Sequence, residues 1–498
     1  MPSSGRDAGR GRPPRRRPGG RATTPVDPAR SAAFEVLKAV RVEEAYANLV
    51  LPHVLAAHGL TGRDAAFATE LVSGTLRQQG TYDAVLSACL DRPIAKVEAK
   101  VRDLLRLGCH QLLSMRVPDH AAISATVDLV KVKANAGAGS FANAVLRKVA
   151  GRTLPEWIEE VAPPGRDRHG RAAIAHSHPR WVVDELAAAL AGSGSAAELE
   201  ELLAADNAAP KVVLVARPGR ASVEELPGES TAYSPFGVVL AAGQPGEVPA
   251  VAEGRAGVQD EGSQLVALAL AQAPLEGRDE RWLDLCAGPG GKSALLAALA
   301  ARTGASLTAN EAQPHRARLV RRNLTDTLAP GGPLVPGATA VVAADGRRPP
   351  FPEGAFDRVL VDAPCSGLGA LRRRPEARWR RRPSDLEELV PLQRELLTSA
   401  LALVRPGGLV LYATCSPVLA ETAGVVREVL TQQAADAELV PWEHDALGVP
   451  RSDGPMPGTI QLWPHRHGTD AMFLALLRRR EQSADGIAPG ALPAAPGR

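Results

Sequence analysis

Three short apolar runs in the second half of the chain each stop in a polar turn. Trp282–Leu285 runs into Cys-Ala-Gly-Pro-Gly-Gly-Lys, Val359–Val361 into Asp-Ala-Pro-Cys-Ser-Gly, and Leu409–Tyr412 into Ala-Thr-Cys-Ser-Pro. Strand candidates at Arg281–Leu285, Ser306–Asn310, Ala338–Ala344, Phe356–Val361 and Gly408–Ala413 alternate with helix candidates at Lys292–Ala301, Pro314–Leu324, Ser384–Leu403 and Ala420–Leu430. This alternation predicts an α/β domain around a mostly parallel, doubly wound sheet that binds its ligands at the strand C-termini. Two late runs, Thr459–Trp463 and Ala471–Leu477, read as an antiparallel edge hairpin.

The chain has 498 residues, too many for one ordinary core, so further domains are expected. Residues 1–26, rich in Arg, Gly, Pro and Ser, read as a disordered basic tail that could touch RNA. Residues 27–155 read as all-helical, with apolar positions at helical spacing such as Phe34, Val36, Leu37 and Val40, or Val101, Leu104 and Leu105. A charged Pro/Gly stretch at Ala162–Arg171 reads as a linker. Residues 172–257 read as a small α/β adaptor with a strand at Lys211–Ala216, 258–480 as the main domain, and 481–498 as a disordered tail. No apolar run approaches the ~20 residues that a membrane helix needs. The five cysteines, Cys89, Cys109, Cys286, Cys365 and Cys415, lack disulfide-like or metal-like spacing. The expectation is reduced thiols in the cytoplasm, with no membrane association. The pairs His176/His178 and His465/His467 have no carboxylate or thiol at ligand spacing and read as surface or RNA-contacting residues, with no metal site.

In the first turn, Gly288, Gly290 and Gly291 allow close approach of backbone to a ligand, and the helix beginning near Lys292 points its amides at it. A phosphate-binding loop would need glycine where Cys286 stands, so a P-loop nucleotidase is disfavoured. Glu311, roughly 20 residues beyond this turn, is placed for ribose hydroxyls. Asp345, at the end of the third strand, is placed for an adenine edge, and Asp284 for orienting the loop or holding an ammonium. Three acidic strand ends around one glycine loop repel phosphates and suit a ligand with an adenosine and a cationic centre, such as S-adenosylmethionine. Cys89, Cys109 and Cys286 read as packing residues. Cys365 and Cys415 follow strands directly, where a thiolate can add to C6 of a cytosine and activate C5 for methylation. Asp362 could support the ring nitrogen that gains charge. Residues 372–382 hold seven Arg against Glu376 alone, and Arg372, Arg373, Arg374 and Arg378 read as phosphate contacts.

Taken in order, these motifs resemble RNA cytosine-5 methyltransferases. Leu283–Lys292 is similar to that family's cofactor loop, Asp362–Gly367 and Tyr412–Ser416 to its two cysteine motifs, Gln259–Gln264 to the lead-in segment, and Arg372–Glu376 with Trp379 to the stretch after the first cysteine. The resemblance covers about 258–480. The helical region resembles the NusB-like RNA-binding domain of the Sun (Fmu, RsmB) branch, whose members modify a cytosine of 16S ribosomal RNA.

The resemblance implies a Rossmann-like S-adenosylmethionine-dependent methyltransferase domain preceded by an all-α NusB-like domain and the adaptor. It implies Cys415 as nucleophile and Cys365 in product release. It also implies cofactor contacts from Cys286, Ala287, Gly288, Pro289, Gly290, Gly291, Lys292, Glu311, Asp345 and Asp362. The substrate would be 16S ribosomal RNA or a small-subunit precursor, with no obligate protein partner. A transfer-RNA methyltransferase of the same chemistry and a non-catalytic RNA-binding factor are the alternatives. Two departures stand out: Gly288 replaces a usual alanine, expected to preserve the turn, and Thr469–Phe473 departs from the family's Gly-Asp-Gly-Phe-Phe-like C-terminal motif, which leaves the role of Asp470 open.

Overall fold

The computed structural model describes residues 26–165, 167–325, 338–433, 436–442 and 447–481. The two expected tails, 1–26 and 481–498, lie outside these apart from Val26 and Glu481.

The helical region opens with Pro28–Val42. Its N-cap Asp27 accepts from the Arg30 amide, and proline in the first turn sacrifices no helical hydrogen bond. Seven further α-helices, from Ala47–Ala57 to Leu154–Val161, complete one core around Phe34, Leu71, Tyr82, Leu104 and Leu146. Cys89 and Cys109 belong to this core, and burial raises both thiols above their ordinary value. The Ala162–Arg171 linker is shorter than the sequence implied. Asp167 caps a new helix, Arg168–Ala175, by accepting from the Gly170 amide.

Helices Arg180–Gly192 and Leu199–Asp206 follow. They share a core with Leu368, Leu371, Val418 and Trp463, so this segment packs directly under the cysteine loops. The next strands, β1 (Val213–Ala216), β2 (Gly228–Ser230), β3 (Gly237–Leu240) and β4 (Ala256–Val258), form a small antiparallel sheet in the order β2-β3-β1-β4.

The main sheet contains β5 (Arg281–Asp284), β6 (Ser306–Asn310), β7 (Thr339–Val342), β8 (Phe356–Asp362), β9 (Val404–Thr414), β10 (Ala437–Leu439), β11 (Ile460–Gln461) and β12 (Phe473–Arg479). Its order is β10-β12-β9-β8-β5-β6-β7, with β11 paired to β12. The five strands β5 to β9 run parallel, β12 runs antiparallel to β9, and β10 and β11 each pair antiparallel with β12. The chain builds outward from β5 to β7, then returns to β8 beside β5. The crevice where strand order reverses therefore lies between the C-terminal ends of β5 and β8. Alternation along β9 explains the two covering layers. Leu409, Leu411 and Ala413 pack towards Glu261–Gln272 and Gly291–Thr303, whereas Val410 and Tyr412 pack towards Asp385–Leu403.

The late hairpin requires correction. β11 does pair with β12, but β12 is no edge strand, because it lies between β9 and β10. Phe473–Leu477 is buried on both faces, as an interior strand must be.

Candidate active site

β5 ends at Asp284, and the chain turns through Cys286–Gly290 into helix Gly291–Thr303. Gly290 caps that helix with φ of 112°, a left-handed conformation open to glycine. The loop is held from outside. Asn323 Nδ2 donates to the Pro289 carbonyl at 2.8 Å, Arg316 Nη2 to the Gly288 carbonyl at 2.7 Å, and the Ala287 amide to the Asn310 carbonyl at 2.8 Å. Inside, Ser293 Oγ donates to Asp284 Oδ2 at 2.6 Å, joining strand end to helix start. Asp284 is fully buried, its Oδ1 finds no hydrogen-bond partner among the described residues, and burial pushes its carboxyl up to about 7.

Glu311 stands at the end of β6. Its Oε2 accepts from the Gly288 amide at 3.0 Å and its Oε1 from the Gln313 amide at 2.9 Å. A Cβ on residue 288 would lie 2.1 Å from Glu311 Oε2. Glycine at 288 thus lets this carboxylate sit on the loop backbone, a closer dependence than the expectation of a small change implied. Asp345 lies one strand further out, half exposed, and is engaged by Arg347. With Arg347, Arg348 and Glu395 it lines an open cleft of about 620 Å³.

The two cysteine motifs meet where the parallel pairing of β8 and β9 brings their ends together. Cys365 Sγ and Cys415 Sγ are 3.4 Å apart. Lys292 Nζ donates to Asp362 Oδ2 at 2.8 Å beside them. The hydrogen bond from Cys365 holds the Cys415 thiol below its ordinary value, burial and Asp362 oppose this, and Lys292 adds to the lowering. The same hydrogen bond, then burial, pushes Cys365 well up. Burial pulls Lys292 down, but the charge and hydrogen bond of Asp362 outweigh it and the net shift is up. The shared hydrogen bond thus moves the two thiols in opposite directions, Cys415 down and Cys365 up. Cys286, packed below, has its thiol pushed well up by burial.

The structure thus brings Cys286, Ala287, Gly288, Pro289, Gly290, Gly291, Lys292, Glu311, Asp362, Cys365 and Cys415 to adjoining strand ends. It does not leave the arginine stretch free for phosphate. Arg378 is fully buried and donates to the Ser177 carbonyl, Asn207 Oδ1 and the Asp206 carbonyl. Arg372 is buried against Asp260, Asp470 and the Gly468 carbonyl, and Arg373 pairs with Asp470. Arg374 and Arg380 stack on Tyr46 at 4.7 and 5.3 Å, and Glu376 accepts from the Ala47 amide. Phosphate contact is therefore withdrawn for Arg372 and Arg378. Arg374 and Arg380 brace this stretch against the helical region, whereas Arg372, Arg373 and Arg378 tie it to Asp260, Asp470 and the segment around Ser177 and Asp206. The histidines are corrected too. His178 is buried with Nδ1 donating to the His176 carbonyl, His465 bonds Glu198, and His467 lies between the Trp463 amide and the Pro450 carbonyl. Among the described residues, no cluster of three or more His, Cys, Asp or Glu is placed to hold a metal, and no helix is long and apolar enough to cross a membrane.

Sequence reasoning missed Glu421. It is fully buried and takes hydrogen bonds from both serines that follow the cysteines. Nothing at a single acid in an apolar stretch signals this. Asp470, of uncertain role from sequence, lies buried beneath Arg372 and Arg373 and donates its amide to Asp260 Oδ1.

Comparison with known proteins agrees with this geometry. The pattern of the family described as 16S rRNA methyltransferase RsmB/F matches residues 270–478, and that of the NusB family matches 27–151. A protein of Mycobacterium tuberculosis named as a methyltransferase is 51% identical over 94% of this chain and 99% of its own length. The ribosomal RNA small subunit methyltransferase B of Pseudomonas putida is 34% identical over 82% of this chain and 90% of its own. The crystal structure of the protein PH0851 superposes with a TM-score of 0.72 at 24% identity, covering 92% of this chain and all of that one, so the whole fold is shared. The chain belongs to the RsmB/F family of 16S ribosomal RNA methyltransferases and carries a NusB-family domain in front of its catalytic domain.

Proposed function

We propose that the chain methylates C5 of a cytosine in 16S ribosomal RNA, with S-adenosylmethionine as donor, through a transient bond between Cys415 and C6 of the ring. The observation that carries this reading is the 3.4 Å approach of two thiols from neighbouring strands, beside a lysine–aspartate pair and a glycine loop. The full-length relatives named for small-subunit ribosomal RNA favour that substrate over transfer RNA.

The residues present suit the donor. A Cβ at Gly291 would meet nothing within 4 Å, so the start of helix Gly291–Thr303 is open to a ligand. The carboxylates Asp284, Glu311 and Asp362 stand around it, and the nearby cations are engaged, Lys292 by Asp362 and Arg316 by Glu311 and the Gly288 carbonyl, which favours a sulfonium and a ribose diol over phosphates. Residues Cys286–Lys292, Glu311, Asp345 and Asp362 would hold it. When bound, S-adenosylmethionine supplies an electrophilic methyl group.

C5 of cytosine is too weakly nucleophilic to take a methyl group unaided. Addition of the Cys415 thiolate to C6 makes C5 enamine-like. The ring nitrogen that gains electron density takes a proton through Asp362 from the Lys292 ammonium and returns it when Cys415 leaves. After transfer, Cys365, having released its own proton to solvent, takes the C5 proton; the C5–H electron pair forms the C5–C6 double bond, and the C6–sulfur pair leaves with Cys415. The thiol pair is suited to this order. Once Cys415 is a thioether it no longer accepts the proton of Cys365, so the main cause holding the Cys365 thiol up disappears. The target base must leave its stack to reach this depth.

Trapping with 16S ribosomal RNA and S-adenosylmethionine tests the reading. Cys365→Ala is expected to accumulate a covalent protein–RNA adduct, and Cys415→Ala to give none and no turnover. An adduct that survives in Cys415→Ala and is lost in Cys365→Ala would reverse the roles. Absence of an adduct in both would end the covalent scheme.

A further inference from the structure

The two cysteine loops come from different strands, yet no covalent link or direct backbone ladder joins Cys365 to Cys415 across their 3.4 Å gap. The Gly369 amide of the first loop donates to the Cys415 carbonyl at 2.9 Å, and one side chain bridges the residues that follow the two cysteines. Glu421 is fully buried in the short turn Leu419–Glu421 after β9. Its Oε2 accepts from Ser366 Oγ at 2.5 Å and from Ser416 Oγ at 2.6 Å, and its Oε1 accepts from the Ser366 amide at 2.7 Å and Gln393 Nε2 at 3.0 Å. Ser366 follows Cys365 directly and Ser416 follows Cys415 directly, and the two hydroxyl oxygens are 3.0 Å apart. Gln393 also donates to the Pro364 carbonyl at 2.8 Å, and Tyr412 OH donates to the Glu421 carbonyl at 2.7 Å. Every donor on this carboxylate thus belongs to a cysteine loop or to a residue pinned to one.

We infer that Glu421 is a positioning residue that clamps the two cysteine loops together and holds Cys365 within hydrogen-bond reach of Cys415. This deepens, and rests on, the proposed covalent chemistry. A solvated carboxylate could not do this work. Buried, its four hydrogen bonds are costly to leave unmade, and each fixes one loop relative to the other. The sequence pattern is economical: a serine after each cysteine gives the acid one hydroxyl handle per loop. Groups facing Cys415 are Cys365, Asp362, Lys292, Asp470 and Arg373, and those facing Glu421 are both serines, Gln393 and Glu185.

The test is alkylation of the full-length protein by iodoacetamide across pH, with Cys415 read by peptide mass spectrometry. It needs neither RNA nor cofactor, so it stands or falls independently of the trapping experiment above. In Glu421→Leu, all four of these hydrogen bonds are lost and no polar group replaces them. The Cys415 midpoint is expected to rise by about one pH unit, a roughly tenfold slower alkylation near neutrality. A purely electrostatic role predicts the opposite sign, because removing a negative charge eases thiol ionisation. The Ser366→Ala/Ser416→Ala pair leaves the acid in place and must raise the midpoint in the same way, and it decides the matter if the Glu421 variant does not fold. In the triple variant the shifts should fail to add, since both sets of changes break the same clamp. A Cys415 midpoint that stays put or falls would overturn the inference.

Discussion

The two ends of β8 treat their carboxylates in opposite ways. At the N-terminal end Asp357 is fully buried and saturated. It accepts from Arg278 Nε and Arg405 Nε, both at 2.9 Å, and from the Glu280 and Arg281 amides at 2.8 and 2.9 Å. The next residue, Arg358, grips Asp279 and the Leu270 and Ala273 carbonyls while stacking on Trp282. At the C-terminal end Asp362 has one lysine, and Asp284 on the adjacent strand has one serine hydroxyl and an unpartnered oxygen among the described residues. The strands and their packing layers are the same. What differs is whether each buried charge is neutralised. Full pairing at one end secures the sheet, and incomplete pairing at the other leaves capacity for a ligand and for proton transfer.

The largest effect that would test this division is at Lys292, the one cation among the chemistry-bearing residues at the functional end. Lys292→Met should lower methyl transfer by about a hundredfold or more, a typical cost for one electrostatic or proton-handling group. It should also raise the pH midpoint of Cys415 alkylation, because the charge that favours the thiolate is gone. Urea unfolding should hardly change. A variant that loses stability while keeping its turnover per folded molecule would show that the lysine serves the sheet and would collapse the contrast.

Asp357→Ala is the converse. It strands two guanidinium groups and two amides, so stability should fall by about 3 kcal/mol, near the lower end for breaking a buried pair because both arginines keep some solvent. Methyl transfer per folded molecule, measured with tritiated cofactor at low temperature, should remain within about twofold, since no reacting group lies at that end. A hundredfold drop in activity at full stability would break the comparison from the other side.

Much of this architecture was legible in the sequence because period and punctuation agreed. Short apolar runs ending in Gly, Pro or Cys turns locate β5, β8 and β9 within a few residues, and strand alternation then assigns both faces. The chemistry at strand ends was legible for the same reason, since the topology brings Lys292, Asp362, Cys365 and Cys415 together once the order of strands is known. The arginine stretch misled because charge alone does not reveal whether its partner is a phosphate or a carbonyl. Arg378 finds its acceptors some 170 to 200 residues away in sequence. Glu421 was invisible for a related reason: a buried acid has meaning through the donors around it, and three of its four come from residues 28 to 55 positions away.

The smallest effect is also the most specific to the functional end. Burial holds the Asp284 carboxyl at about 7 in the native chain, against an ordinary value of 3.8. Between those values the native state keeps a proton that the unfolded chain has released. This residue therefore makes stability fall as pH rises through the window, with no further change above about 7. Asp284→Asn keeps the shape and an acceptor for Ser293 but has no proton to hold. Its stability relative to the parent should climb from about pH 4 to pH 7 and then level off. Asp206 and Asp260 are raised as well, to about 7 and about 6, so the parent's absolute slope is shared among several groups. The variant-minus-parent difference in urea unfolding, taken at several pH values, isolates position 284. Parallel curves would mean that Asp284 is neutralised by partners as completely as Asp357 is, and the two ends of the sheet would no longer differ in kind.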